Sequence, residues 1–310
     1  MDDEAYDSIA IDSDYYDGID VSFAYPGIKN VVHESSDPVT ETKQLIDDIN
    51  ETVATAKKQK RNLKKIPMIV TYVTMAICVI NFILSFLLQM NYDSVASMIV
   101  MGADYKMFTL GLNQFWRLLT YGFVHGSIIH LLMNMYSLYI LGSALEESIG
   151  SLKFGIILYG STICGALLNG ILLDNSMIVG LSGGLFGLMA IYLIIAYRGG
   201  YLSSYSLLQI ILVNVTISFV ANVGIIVHLG GFIAGVIFYL LFFDSKSRRN
   251  LSILLLVLYV VGIGFKYVTN RTIRPIYGGT DAAVVEIYHG LNMDFYASNI
   301  AERLYEAYLR

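Results

Sequence analysis

The chain has 310 residues, of which 55% are hydrophobic and only 15% are charged. A soluble domain carries about a quarter charged residues, so this composition excludes an ordinary soluble protein and predicts a membrane protein. The net charge of −5 argues against nucleic acid as a partner, because binding to phosphates requires a basic surface.

The N-terminal part of the chain is acidic. Residues 1–50 contain thirteen Asp and Glu against two Lys and show no apolar periodicity, so we expect 1–56 to form a disordered cytosolic segment. A basic segment, 57–65, follows directly before the first apolar run and predicts that the N-terminus is cytosolic. Residues 1–50 are too acidic for a mitochondrial transit peptide, so the secretory pathway or plasma membrane is the expected address.

Charge-free apolar runs predict seven membrane-spanning helices. They cover 66–89, 118–145, 154–173, 175–197 and 251–265, and two more spans lie in 199–243 with a tight turn near 222–224. We therefore expect an all-α polytopic membrane helical bundle. Its parts are a six-span core at 66–243, a basic loop and seventh span at 244–269, and a C-terminal tail at 270–310.

The orientation of the seventh span is less simple than that of the others. Basic residues after the sixth span lie on the predicted cytosolic side, as the usual bias requires. Those after the seventh span lie on the predicted outer side, against that bias: Lys266, Arg271 and Arg274. We expect this span to cross nevertheless, because the first helices usually dominate orientation.

A glycine-flanked serine, Ser182, lies near the outer end of the fourth predicted span. Gly180 and Gly183 leave its hydroxyl uncovered and let another backbone approach, and a helix N-terminus favours developing negative charge. Small residues four apart, such as Gly183 and Gly187, are also ordinary packing devices between membrane helices. Ser182 by itself therefore fits either a nucleophile or a packing position.

His228 lies near the outer end of the sixth span, at the predicted depth of Ser182. An imidazole inside a span is rare and indicates function, with a purely structural hydrogen bond as the alternative. Gly231 and Gly235 follow at helical spacing and would let this span pack closely on the fourth. A serine needs an adjacent base, and no carboxylate lies at this depth to complete a triad. We therefore predict a Ser182–His228 dyad.

The second predicted span carries three further polar groups, His125, His130 and Asn134. His130 and Asn134 are four residues apart on one helical face, and both can donate hydrogen bonds to an oxyanion. His125 lies nearer the outer water. Histidines are also common metal ligands, but no Cys, Asp or Glu joins them within the second span, so neither a metal nor another cofactor is expected.

Taken together, these residues resemble the rhomboid intramembrane serine proteases. The matching features are Trp116-Arg117 before the second span, the histidines and Asn134 within it, and the glycine-flanked Ser182 and His228. The resemblance covers about residues 66–243. An added seventh span is similar to the secretase-type eukaryotic members of that family.

The resemblance implies a role for each matched residue. Ser182 would be the nucleophile and His228 the general base, while His130, Asn134 and the Ser182 backbone N–H would form the oxyanion site. Trp116-Arg117 would lie in a membrane-embedded first outer loop. Val227 stands where the family usually has alanine, which adds two methyl groups beside the dyad.

The function implied is hydrolysis of peptide bonds within or next to the transmembrane segment of single-span proteins, in contact with the lipid bilayer. An inactive relative that binds membrane clients for trafficking or degradation is the alternative. Gly180-x-Ser182-x-Gly184 also fits the nucleophile elbow of α/β-hydrolases, but the strand and acidic partner of that motif are missing. A transporter or channel would carry its polar residues near the midplane, whereas these lie near the outer face.

Overall fold

A computed structural model describes residues 46–47, 50, 67–173, 177–199, 224–269 and 279–309. Almost all of the predicted acidic and basic N-terminal segments, 1–56 and 57–65, lie outside this part of the chain. The predicted fifth span also lies outside it, because residues 200–223 are not described.

Apolar helices make up most of the described chain. They are α1 (Ile69–Gln89), α4 (Ile128–Ile149), α5 (Ser151–Leu172), α6 (Ser182–Arg198), α7 (Ile225–Phe243) and α8 (Lys246–Thr269). Five of them are long and apolar enough to cross a membrane, and α6 is apolar but has 17 residues. The predicted all-α polytopic membrane bundle is therefore confirmed as the fold class.

Shorter elements lie between α1 and α4 and near the C-terminus. The first loop, residues 90–127, contains α2 (Ser94–Val100), β1 (Asp104–Tyr105), a π-helical turn (Met107–Gly111), α3 (Arg117–Thr120) and a 3₁₀ turn (Tyr121–Phe123). Strand β2 (Met177–Ile178) precedes α6 and pairs antiparallel with β1, Asp104 opposite Ile178 and Tyr105 opposite Met177. The C-terminal hairpin, residues 279–309, consists of α9 (Thr280–Gly290) and α10 (Asp294–Leu309).

Three predicted span boundaries are corrected by the structure. The second span begins at Ile128 rather than at 118, because the Ser127 hydroxyl accepts a hydrogen bond from His130 N and caps the helix there. The fourth begins at Ser182 rather than at 175, because residues 177–178 pair with β1 instead. The predicted basic loop before the seventh span is the first turn of α8, which begins at Lys246.

Helices α5, α6 and α7 form the membrane core, in which glycine lets backbones touch. A methyl group at Gly231 would lie 2.7 Å from the carbonyl carbon of Gly183, and one at Gly235 would lie 2.7 Å from the Cα of Gly187. Helices in lipid gain stability from such close packing because no hydrophobic force drives them together. In contrast, α1 and α8 leave most of their apolar side chains exposed, as lipid-facing helices do.

A second apolar cluster, the loop core, joins the first loop to the C-terminal hairpin. Its largest buried side chains come from both parts of the chain: Tyr105, Phe108, Leu112, Ile287, Ile300 and Leu304. The hairpin therefore packs on the first loop, which directly follows α1. The crossing of the seventh span stays a prediction, because residues 270–278 between α8 and the hairpin lie outside the described part of the chain.

Candidate active site

Ser182 is the first residue of α6. The turn before it is tight: Gly180 has φ +103°, a conformation that side chains rarely adopt, and its N–H donates to the Tyr121 carbonyl at 2.9 Å. As the first residue of a helix, Ser182 has a backbone N–H without a helical acceptor. The positive end of α6 therefore lies beside the Ser182 hydroxyl.

The structure brings Ser182 and His228 together. Ser182 Oγ lies 2.8 Å from His228 Nε2, and His228 is buried in the first turns of α7. The contact of Gly231 with Gly183 brings the two helices close enough for this distance. Gly231 and Gly235 thus face α6, as their spacing predicts.

Val227 fits beside the dyad despite its extra methyl groups. Its side chain is buried and lies against Gly183, 3.0 Å from the position of a Cβ there. Its carbonyl oxygen lies 2.7 Å from the position of a Cβ on Gly165 of α5. Two neighbouring glycines therefore provide the space that valine needs.

Phe186 is a site residue that the sequence reasoning missed. Its ring stacks on the His228 imidazole with 4.2 Å between ring centroids and 7° between the planes. It follows Ser182 by four residues, so the two side chains share one face of α6. The spacing alone does not identify Phe186, because its partner His228 comes from another helix.

His130 and Asn134 lie on the same side of the site as Gly180. The His130 ring packs on Gly180, where a Cβ would lie 2.6 Å from its Nε2. Asn134 Nδ2 donates to the His130 carbonyl at 2.8 Å. Asn134 Oδ1 and His130 Nε2 are buried and have no hydrogen-bond partner among the described residues. Buried polar atoms of this kind usually indicate a ligand or water position.

His125 lies in the connection before α4 rather than in the span, contrary to prediction. Its side chain is fully buried, its Nδ1 lies 3.3 Å from the Phe123 carbonyl, and its ring contacts that of His130 with centroids 5.1 Å apart. Its ring therefore packs edge-to-face against that of His130. The described residues contain no group of three or more His, Cys, Asp or Glu side chains that could hold a metal ion.

The carboxylate of Glu146, near the C-terminal end of α4, connects two helices. Glu146 accepts hydrogen bonds from Val70 N at 2.8 Å, from Thr71 N at 2.9 Å and from the Thr71 hydroxyl, which joins α4 to α1. It follows His130 by sixteen residues of helix, which corresponds to about 24 Å. Glu146 is therefore too far from His228 to orient its imidazole.

Arg117 organises the first loop. Its side chain is fully buried, and its Nη1 donates to the carbonyls of Ile99 at 2.6 Å and Ala103 at 2.8 Å. The guanidinium also lies over the Trp116 ring, 4.4 Å from its centroid. The Trp116-Arg117 pair therefore holds the first loop together.

Comparisons with known proteins identify the family of the chain. The family model described as the Rhomboid domain matches residues 112–245, which include every candidate site residue. RHOMBOID-like protein 2 of Arabidopsis thaliana is 34% identical over 172 residues, or 49% of this chain and 54% of that protein. RHOMBOID-like protein 6, mitochondrial, of the same plant is 36% identical over 138 residues, or 43% and 45%.

The match covers a larger share of a bacterial relative than of the two Arabidopsis proteins. YdcA of Bacillus subtilis is 30% identical over 143 residues, or 44% of this chain and 72% of YdcA. The chain spans about half the length of the Arabidopsis relatives that it matches. The family contains both serine intramembrane proteases and inactive rhomboid-like members. The chain belongs to the rhomboid family.

Proposed function

We propose that this protein is an intramembrane serine endopeptidase that uses Ser182 as the nucleophile and His228 as the general base. The observation that carries this proposal is the 2.8 Å distance between Ser182 Oγ and His228 Nε2. A serine becomes nucleophilic when an adjacent base takes its proton. Phe186 supports the proposal, because stacking at 4.2 Å holds the imidazole plane in one orientation.

The first chemical step is acylation of Ser182. His228 Nε2 takes the hydroxyl proton as Ser182 Oγ attacks the scissile carbonyl carbon, and the carbonyl oxygen becomes an oxyanion. His228 then gives this proton to the leaving amide nitrogen, which breaks the peptide bond. In the second step His228 takes a proton from water, the resulting hydroxide attacks the acyl group, and the proton returns to Ser182.

The oxyanion would be stabilised by donors from two elements. The Ser182 backbone N–H is available at the start of α6, and the side chains of His130 and Asn134 lie on α4. Asn134 Nδ2 would give up its bond to the His130 carbonyl in order to reach the oxyanion. Donors that are arranged before the reaction stabilise developing charge most strongly.

The proposed substrates are single-span membrane proteins cut within or next to their transmembrane segment. A dyad held between α6 and α7, with His228 buried and Ser182 partly exposed, supports this class, because a substrate segment that already lies in the bilayer can reach a site between membrane helices. The compartment, the cytosolic N-terminus and the extents of the segments 1–56, 57–65, 66–243, 244–269 and 270–310 remain predictions.

Labelling with a fluorophosphonate probe in detergent tests the proposal. We expect the wild type and Ser143→Ala to be labelled, since Ser143 is a serine of α4 whose exposed hydroxyl donates to the Ile140 carbonyl of its own helix. Ser182→Ala and His228→Ala should not be labelled and should not cleave a single-span substrate. The double variant should be no worse than either single one, because the two residues act as a unit. Labelling of Ser182→Ala at the wild-type level would exclude Ser182 as the nucleophile, and an unlabelled wild type would favour an inactive, client-binding rhomboid.

A further inference from the structure

The C-terminal hairpin shares a core with the first loop although about 180 residues separate them in sequence. Tyr105 and Phe108 of the loop are fully buried against Ile287 and Ile300 of the hairpin, which are fully buried as well. Neither part could bury these side chains alone, and exposed apolar clusters of this kind are unfavourable in water. The hairpin is therefore part of the same folded unit as the loop.

Specific contacts fix how the hairpin lies on the loop. The Arg303 guanidinium in α10 donates to the Leu112 carbonyl, and Tyr105 in β1 hydrogen-bonds to the Asp281 carboxylate in α9. At the end of α9, Gly290 lies so close to the Tyr92 hydroxyl that a methyl group there would overlap it. These three contacts at separate points fix one orientation of the hairpin on the first loop. A purely apolar interface would allow several orientations.

Tyr105 connects this interface to the candidate active site. It lies in β1 and pairs with Met177 in β2, and the next pair is Asp104 with Ile178. Only Val179 separates Ile178 from Gly180. Gly180 contacts the His130 ring and precedes Ser182 by two residues. The hairpin thus contacts the Tyr105 side chain, and Tyr105 pairs with Met177 in the strand that leads to Ser182.

We propose that the C-terminal hairpin positions the nucleophile turn: by holding Tyr105 and thus β1, it fixes β2 and the Gly180–Ser182 turn against His130. This inference rests on the proposed function. Asp281 and Tyr105 are positioning residues, since they act on the turn and do not touch substrate. The dyad distance itself depends on the Gly183–Gly231 contact, so loss of the hairpin should misplace the oxyanion donors while Ser182 and His228 stay together.

The test compares matched tyrosine variants. Tyr105→Phe keeps the ring in the loop core and removes only the hydroxyl that bonds to Asp281, and Asp281→Asn changes the other partner. Tyr305→Phe is the control, because Tyr305 lies on the same hairpin with 67% of its surface exposed. We expect Tyr105→Phe to lower kcat three- to tenfold with unchanged KM, and Tyr305→Phe to leave both unchanged.

Hydrogen exchange gives a readout that does not need activity. Amides of residues 177–181 should exchange at least threefold faster in Tyr105→Phe than in Tyr305→Phe, whereas those of α7 should not change. Ile287→Asp, which places a charge in the loop core, should expose the hairpin to proteinase K and produce the same effects more strongly. If the protein proves inactive, this exchange difference still supports the coupling, so the two proposals fail separately. Unchanged exchange at 177–181 in Tyr105→Phe, or a loss of activity through KM alone, would overturn the inference.

Discussion

The two cores of this molecule are packed by opposite means. In the membrane core, glycines bring α6 and α7 into backbone contact, and no room remains for a methyl group at Gly231 or Gly235. In the loop core, large side chains such as Phe108 and Ile287 fill the space between the first loop and the hairpin. The first core is sensitive to added atoms and the second to removed atoms.

The difference follows from the solvent around each core. Lipid tails are as apolar as the side chains, so helices in a membrane gain little from burying leucine and much from close van der Waals contact. The loop core consists of short elements joined to a hairpin outside the spans, where burial of apolar area contributes about 25 cal/mol per Å². Each core therefore carries a separate part of the site: the membrane core sets the dyad, and the loop core supports the turn before Ser182.

The largest effect on activity is expected from adding one methyl group to the membrane core. Gly231→Ala would place its Cβ 2.7 Å from the Gly183 carbonyl carbon, so α6 and α7 must separate and the Ser182–His228 contact is lost. We expect no detectable cleavage and a thermal destabilisation of about 1–3 kcal/mol or more, measured by melting in detergent.

Gly262→Ala is the matched control for that change. Gly262 lies in α8, and no atom comes within 4 Å of the position that its Cβ would take. Activity and melting temperature should stay at the wild-type level or rise slightly, because alanine favours helix by up to about 1 kcal/mol over glycine. Wild-type activity and melting temperature in Gly231→Ala would show that the membrane core tolerates added atoms.

A truncation on α4 separates chemistry from packing. Asn134→Ala removes a proposed oxyanion donor while its helix keeps the Glu146 contacts with α1. We expect turnover to fall by about 10²–10³-fold, as for one oxyanion donor elsewhere, with little change in melting temperature. Single-turnover kinetics should assign the loss to kcat, and a loss confined to KM would make Asn134 a substrate contact instead.

Removal of atoms should matter in the loop core. Phe108 is fully buried, whereas Phe115 in the same loop is 43% exposed. Phe108→Ala should destabilise the loop core by about 3–5 kcal/mol, and Phe115→Ala by less than about 0.5 kcal/mol. Hydrogen exchange of α9 amides measures both. Equal effects of the two truncations would contradict the side-chain packing of this core.

The smallest expected effect is a pH dependence of hairpin docking. Burial raises the pKa of the Asp281 carboxyl to about 6, although the hydrogen bond from Tyr105 opposes this shift. A raised carboxyl pKa means that the docked state binds protons more tightly, so docking is strongest at low pH and weakens as pH rises through about 6. Between pH 7.5 and 5.5, α9 exchange should slow in the wild type.

Asp281→Asn should reduce that pH dependence and Glu302→Gln, which changes an exposed carboxyl on the same hairpin, should not. Part of the dependence will remain, because burial also raises the pKa of Asp104 to about 6 against the opposing charge of Arg117. Exchange that is faster at pH 5.5 than at pH 7.5 would contradict the assigned direction.

Much of the candidate site could be predicted because its signals are local. Ser182 and His228 stand out as rare polar groups among glycines in apolar runs, and their spacing with Gly231 and Gly235 indicates one packed face. The start of the second span was predicted ten residues too early, since hydropathy counts apolar residues and ignores the cap at Ser127. Phe186 was missed because a ring in an apolar helix carries no signal until its partner is known.

The sequence by itself determined the class of the protein, most of its apolar helices and the candidate residues Ser182 and His228. These properties follow from composition and from periodicity within single segments, which physical chemistry can relate to lipid and helix geometry. Only the tertiary structure decided that the C-terminal hairpin completes the first loop and that β1 pairs with β2 before Ser182. Contacts between residues 105 and 281 leave no periodic trace in either segment, because each apolar face is compatible with many partners until the chain is folded.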